Sequence, residues 1–403
     1  AGPDVPESLK SQLKVGGRLV MGSSHHIGLR RLPPVVHLGQ PAEGQWQISN
    51  DGRTPVRLIT LERFPDGLSG EEQPRHWRLG PGETVERPFT VTATRLGSIS
   101  WSHWYVRRRG PFGLAWWTHD LSVPSQLDVR PDRLRKRERA RATTQGSGDL
   151  NARTTGHGVE LQGLRPYRPG DPLRAVDWKA TARSRRPVVR LFSEEQQLSL
   201  ILLLDAGQAG SLYYGQLSRL GHFVNVAARL GERVLHDGGQ VGLIAFSDRV
   251  ISSRYPLKGL TGAHRLREEL ARVEPQPVQA NPLAAALHLR QVVRQRSLVV
   301  LLTDMDLATQ SNQLIKAAGL LHAKHLPLTV GLMDAAVLEQ TEQPARDWLD
   351  PYQTAAALET RHLWSATQMR LERMGVPVAL ASPEQLDRTV FHYYERIRER
   401  RAV

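Results

Sequence analysis

The chain has 403 residues, 40% of them apolar and 23% charged, which suits two packed domains and excludes wholesale disorder. It has no cysteine, so disulfides, thiolate metal sites and a cysteine nucleophile are excluded. A formal charge of +14 favours acidic or polyanionic partners, and no window approaches the roughly 20 consecutive apolar residues that a membrane-spanning helix needs.

The opening AGPDVPESLK carries neither an initiator methionine nor a signal-peptide layout, and the chain as given is expected to be soluble. From Arg31 to Arg130 short alternating segments such as WQISN, VRLITLERF, RPFTVTAT, SISWSHWYVRR and LDVRP are separated by turns at Asn50-Asp51-Gly52, Pro65-Asp66-Gly67 and Gly80-Pro81-Gly82. This predicts an all-β domain over 31–130, a β-sandwich of immunoglobulin or fibronectin type. Most of the tryptophans, among them Trp46, Trp77, Trp101, Trp104, Trp116 and Trp117, fall in it and read first as core. An aromatic face beside Arg107, Arg108 and Arg109 that stacks nucleobases is the alternative.

Residues 131–162 read as a linker, basic from Arg133 to Arg141 and then rich in Gly, Ser and Thr. After it the pattern changes. Apolar runs of strand length, LSLILLLDA, VGLIAFSD, SLVVLLTD, LPLTVGLMD and VPVALA, alternate with helical stretches near 212–236, 263–273, 282–295, 310–324 and 351–374 and from Pro383. VISSRYP reads as an edge strand. Residues 163–403 are therefore predicted to form a doubly wound, mostly parallel sheet with helices on both faces. Ligands of such sheets sit at the carboxyl ends of the strands, which points to Asp205, Asp248 and Asp304.

The most specific stretch runs from Gly163 to Glu195. Leu164-Arg165-Pro166-Tyr167 is followed by Gly170-Asp171, Arg174, Asp177-Trp178-Lys179, Ala182-Arg183 and Val188-Val189-Arg190-Leu191-Phe192-Ser193-Glu194. It resembles the signature of the bacterial domain of unknown function 58 family, and upstream Phe64-Pro65-Asp66-Gly67-Leu68 and Arg109-Gly110-Pro111-Phe112-Gly113-Leu114 resemble elements of its β-rich segment. The resemblance implies a von Willebrand factor A-like domain over 163–403. That fold holds a divalent cation through D-x-S-x-S, a Thr and a later Asp. Here Asp205 is followed by Gly207 and Ala209 at the hydroxyl positions, Asn281 stands at the Thr position, and Thr303-Asp304 supplies the last element, with Asp306 beyond it. The set Asp205, Asn281 and Asp304 is degenerate and is expected to hold at most a weak Mg²⁺. A helix cap or loop organiser is the structural alternative for these residues.

Arg165, Tyr167, Asp171, Arg174, Asp177, Trp178, Lys179 and Arg183 form either a charge network that fixes a loop or a docking surface for a partner protein. The resemblance further implies a non-enzymatic adaptor that works with a MoxR-type AAA+ ATPase in assembly or maturation of other proteins. It also implies an N-terminal membrane anchor and the cytoplasmic face of the bacterial inner membrane, with Lys10, Lys14, Arg18, Arg30 and Arg31 as the positive-inside charges. Two alternatives stay open, nucleic-acid or polyanion binding and a hydrolase at the sheet edge. No HExxH, G-x-S-x-G or P-loop motif is present, and neither His25-His26 nor His157 has a metal-ligand context, so no small-molecule substrate is expected.

Overall fold

The computed structural model describes residues 18–20, 26–109, 114–134, 154–156, 160–168, 176–184, 186–194, 199–305, 308–342, 344 and 347–402. The chain is mixed α/β, with several sheets and, among the described residues, eight α-helices.

The N-terminal part contains β1 (Arg18–Val20), β2 (His26–Arg31), β3 (Val35–His37), β4 (Pro41–Asn50), β5 (Val56–Glu62), β6 (Leu68–Gly70), β7 (Arg75–Leu79), β8 (Thr84–Ala93), β9 (Gly97–Arg109) and β10 (Trp116–Arg130). They pair into two five-stranded sheets, ordered β1-β2-β4-β8-β6 and β3-β10-β9-β5-β7. Alternation turns every second side chain inward, so Trp46, Ile48, Phe89 and Val91 of one sheet meet Leu58, Trp104, Val106 and Leu127 of the other in one apolar core. The strands begin well before the predicted start at residue 31. Trp46 stacks on Phe89 at 4.5 Å and on Trp104 at 4.9 Å. Arg30 lies between Trp46 and Trp101 and pairs with Glu62 at 2.6 Å, while the Trp101 indole donates to the same carboxylate. Arg30 is 1% exposed, so it is a core residue and not the surface charge that a positive-inside reading needs.

The signature folds into a layer of its own. Strands β11 (Thr154–Gly156), β12 (Glu160–Pro166) and β13 (Val188–Glu194) form an antiparallel sheet ordered β11-β13-β12, and α1 (Trp178–Ser184) packs beside β13.

The C-terminal sheet comprises β14 (Ser199–Asp205), β17 (Gln240–Phe246), β18 (Val250–Lys258), β19 (Leu298–Leu302), β20 (Leu326–Leu332) and β21 (Val378–Ala381), ordered β18-β17-β14-β19-β20-β21. Only β18 runs antiparallel, at one edge. Leu200, Leu202 and Leu204 point to one face, covered by α2 (Arg219–His236), α3 (Gly259–Ala271) and α8 (Leu386–Ala402). Ile201 and Leu203 point to the other, covered by α4 (Pro282–Val292), α5 (Ala308–His322) and α7 (Asp350–Arg373). The short α6 (Ala335–Glu342) precedes α7. The helix predicted from Leu212 starts only at Arg219. A 3₁₀ turn over Gln208–Ser211 and a small hairpin of β15 (Tyr213–Tyr214) and β16 (Leu217–Ser218) come first, because Gly215 takes a positive φ of 67° in the hairpin turn and Ser218 caps the helix.

The two parts are clamped together. Residues 131–134, predicted to open the linker, lie along α2 instead, with Leu134 buried and Asp132 accepting Arg229 at 2.9 Å. Asn225 receives the Asp132 amide and donates to the Leu38 carbonyl, and the Leu134 amide donates to Glu232. Leu217 of the hairpin enters the core between the two N-terminal sheets. The rest of the predicted linker, apart from residues 154–156 and 160–162, lies outside the described residues.

Candidate functional site

The order β18-β17-β14-β19-β20-β21 reverses direction at β14, which is the first strand and sits between the second and the fourth. Crevices outside the carboxyl ends at such a switch point are where ligands bind. Asp205 closes β14, and Asp304 follows β19 on the neighbouring strand. Both are 4% exposed.

Each predicted cation ligand is already engaged. One Asp205 carboxylate oxygen accepts the Gly207 amide at 2.8 Å, and the other accepts the Thr303 hydroxyl at 2.6 Å and, more weakly, the Asp304 amide at 3.5 Å. Burial pushes the Asp205 carboxyl above its usual range, and those three donors together with the charge of Arg219 oppose the rise. Asn281 is the N-cap of α4, its side-chain oxygen accepting the Ala284 amide at 3.2 Å. Asp304 is ion-paired with Arg219. Arg219 is 2% exposed, its guanidinium lies 4.9 Å from the centre of the Tyr214 ring, and it also donates to the Tyr214 hydroxyl. The hydroxyl position after Asp205 is closed as well, since a Cβ on Gly207 would stand 2.9 Å from both Ala280 Cβ and the Ala280 amide nitrogen. As arranged, these side chains do not make a ligand set for a divalent cation. Asp248 is exposed and accepts the neighbouring Ser247 hydroxyl at 2.8 Å. Asp306 lies outside the described residues.

Arg219 was absent from the sequence reading. The helix start near Leu212 hid it, and only the observed start at Arg219 puts a basic residue in the first turn, where the macrodipole disfavours a cation unless a buried anion faces it.

The signature residues separate into two groups. Asp177 caps α1 by accepting the Lys179 and Ala180 amides at 3.0 Å each, Thr181 accepts the Val188 amide, and the Tyr167 amide donates to the Pro187 carbonyl. These contacts hold α1 against β13. Arg165 and Tyr167 are half-buried, Arg165 donating to the Pro166 carbonyl at 3.1 Å. Trp178, by contrast, is 70% exposed, with Lys179 and Arg183 exposed on the same short helix. Asp171 and Arg174 lie outside the described residues. An exposed aromatic pair also sits towards the end of the β9–β10 hairpin, where Trp116 is opposite Arg109 and Trp117 opposite Arg108. These two tryptophans are therefore not core, in contrast to Trp46, Trp77, Trp101 and Trp104.

Among the described residues no helix is long and apolar enough to cross a membrane. The chain is similar to the uncharacterized proteins Rv1480 of Mycobacterium tuberculosis and Mb1516 of Mycobacterium bovis, each 30% identical over 161 residues. The match covers 39% of this chain and spans about half the length of those relatives. Among solved structures, the CARDB domain of PF1109 from Pyrococcus furiosus is 18% identical with a TM-score of 0.18, over 25% of this chain and 83% of that one. Proximal thread matrix protein 1 from the mussel byssus is 15% identical with a TM-score of 0.30, over 51% and 45%. Residues 163–345, from the signature strands through the helix bearing Trp178 to the strand edge of Asp205 and Asp304, match a family described as Protein of unknown function DUF58.

Proposed function

We propose that the chain is a non-enzymatic adaptor that docks a partner protein through its signature layer, with a MoxR-type AAA+ ATPase as the partner in assembly or maturation of other proteins. On this reading residues 163–403 form a von Willebrand factor A-like domain, and the full protein works at the cytoplasmic face of the bacterial inner membrane through an N-terminal anchor. The strand order with a single antiparallel edge strand and the aspartates at the carboxyl ends support the domain reading. The observation that carries the docking role is Trp178, exposed at 70% on a helix whose backbone is fixed by Asp177 and Thr181. Trp and Arg are the residues that interface anchors favour, and Arg183 is exposed on the same helix as Trp178.

The test is a titration of the purified chain with the MoxR-type ATPase encoded in the same genome. Trp178→Ala is expected to weaken the complex by about tenfold or more with an unchanged far-ultraviolet spectrum. A complex that Trp178→Ala leaves unchanged sinks the assignment of the surface, and the absence of any complex sinks the partner. The competing polyanion reading is favoured by Trp116 and Trp117 beside Arg109 and Arg108. It requires duplex binding that collapses steeply with salt in the same titration.

A further inference from the structure

The carboxyl edge of the parallel sheet brings two buried aspartates together on neighbouring strands, and two carboxylates in a low-dielectric setting need a positive charge near them. Oxygen-rich edges of this kind meet that need with a divalent ion when their lone pairs face an open position. Here they face the chain itself. We propose that Arg219 is the resident cation of this edge, taking the place and the electrostatic role of a metal, so that the edge is fixed without one.

Four independent features converge on this assignment. Arg219 is paired with Asp304, and its charge acts on Asp205 as well. It is held in place from both sides, since its backbone amide donates to the Leu212 carbonyl at 2.7 Å and its guanidinium rests on Tyr214. Each Asp205 oxygen already accepts a donor from the chain, Gly207 on one and Thr303 on the other, which fixes the carboxylate beside Asp304. The segment Val278–Ala280 packs against Gly207, with the Gln208 amide bonded to the Val278 carbonyl at 2.8 Å, so the space of a hydroxyl ligand is filled by backbone. A guanidinium stays protonated at any physiological pH and, unlike a bound ion, cannot be chelated or exchanged. The consequence is an edge whose charge and shape are independent of the divalent-ion concentration.

The inference stands apart from the identity of any partner. Its test is calorimetric titration of the whole chain with manganese alone, together with thermal melting with and without EDTA. The parent is expected to give no saturable heat and an unmoved melting temperature. Arg219→Ala is expected to melt lower, to take up one manganese per chain and to regain melting temperature when it does, because truncation leaves Asp205 and Asp304 facing the vacated volume. Stoichiometric manganese binding by the parent that Asp304→Asn abolishes overturns the proposal, and so does a folded Arg219→Ala that stays silent. Should Arg219→Ala fail to fold, the variant Arg219→Met with Asp304→Asn removes both charges together. It is expected to fold and to ignore manganese, whereas a double variant that is equally unfolded assigns Arg219 to packing and refutes the charge role.

Discussion

Arg229 of α2 is the hinge pin between the two halves of the molecule, and replacing it with Met isolates its charge from its stem. One guanidinium nitrogen meets Asp132 at 2.9 Å on the arm leaving the N-terminal sheets, and the other meets Asp387 of α8 at 2.5 Å. The Asp132 side chain is 8% exposed and that of Asp387 35%, so only the first pairing is deeply desolvated. Removing one partner of a buried pair costs about 3–5 kcal/mol, and the exposed half adds little because water screens it. Met keeps most of the apolar stem contact, which leaves an expected loss of about 3 kcal/mol. At the entropy typical of units of 150–250 residues this lowers the melting temperature by about 6–12 °C. The arm at 131–134 should also loosen, so trypsin is expected to cut faster at the exposed Arg133. Adding Asp132→Leu to Arg229→Met removes the stranded carboxylate and is expected to restore more than half of the loss. A single variant that loses less than about 1 kcal/mol, or a double variant no better than the single one, refutes the idea that this buried pair locks the two halves.

Burial pushes Glu62 up to about 6, against the opposing effects of Arg30 and the Trp101 indole. A folded-state value above the ordinary 4.5 means that the folded state holds its proton more tightly. Its contribution to stability is therefore complete below pH 4.5 and is lost as the pH rises through about 6, by about 2 kcal/mol in all. Glu62→Gln is expected to remove that slope from urea midpoints measured across this window, and parallel profiles for parent and variant would disprove the account. Gly207→Ser, which reinstates a hydroxyl after Asp205, is expected to destabilise by about 1–3 kcal/mol because its Cβ would meet the Ala280 backbone. An unchanged urea midpoint would show that the loop at 278–280 yields.

The alternation of apolar runs with helical stretches made the C-terminal sheet legible, because a strand buried on both faces has to be apolar at every position, as Leu200 to Leu204 are. Asp205 and Asp304 were legible for the same reason, standing where those runs stop, and Asn281 through the resemblance of its loop. What they do there was not. A capping Asn and a ligating Asn have the same sequence, and only the Ala284 amide distinguishes them. The hairpin at 213–218 was read as helix because Leu217 and Leu220 keep a helical spacing, although Leu217 turns away into the core of the other half. The arm at 131–134 was hidden by its charge. Arg133 and its neighbours look solvated, while the anchoring falls to Asp132 and Leu134 through contacts with α2 almost a hundred residues away in sequence.

The two candidate sites differ in a way that bears on where a partner binds. At the strand edge Asp304 is answered by Arg219 and Asp205 by Thr303 and Gly207, and both aspartates are closed off from solvent. A partner that used this edge would have to break those contacts, and each buried polar group it uncovered would cost about 1–3 kcal/mol before any new contact formed. On the signature layer the contacts are arranged the other way. Asp177 and Thr181 satisfy the backbone of a helix seven residues long and leave Trp178, Lys179 and Arg183 in water. A partner meeting that helix covers an aromatic face without dismantling anything, so the signature layer and not the strand edge is the proposed docking surface.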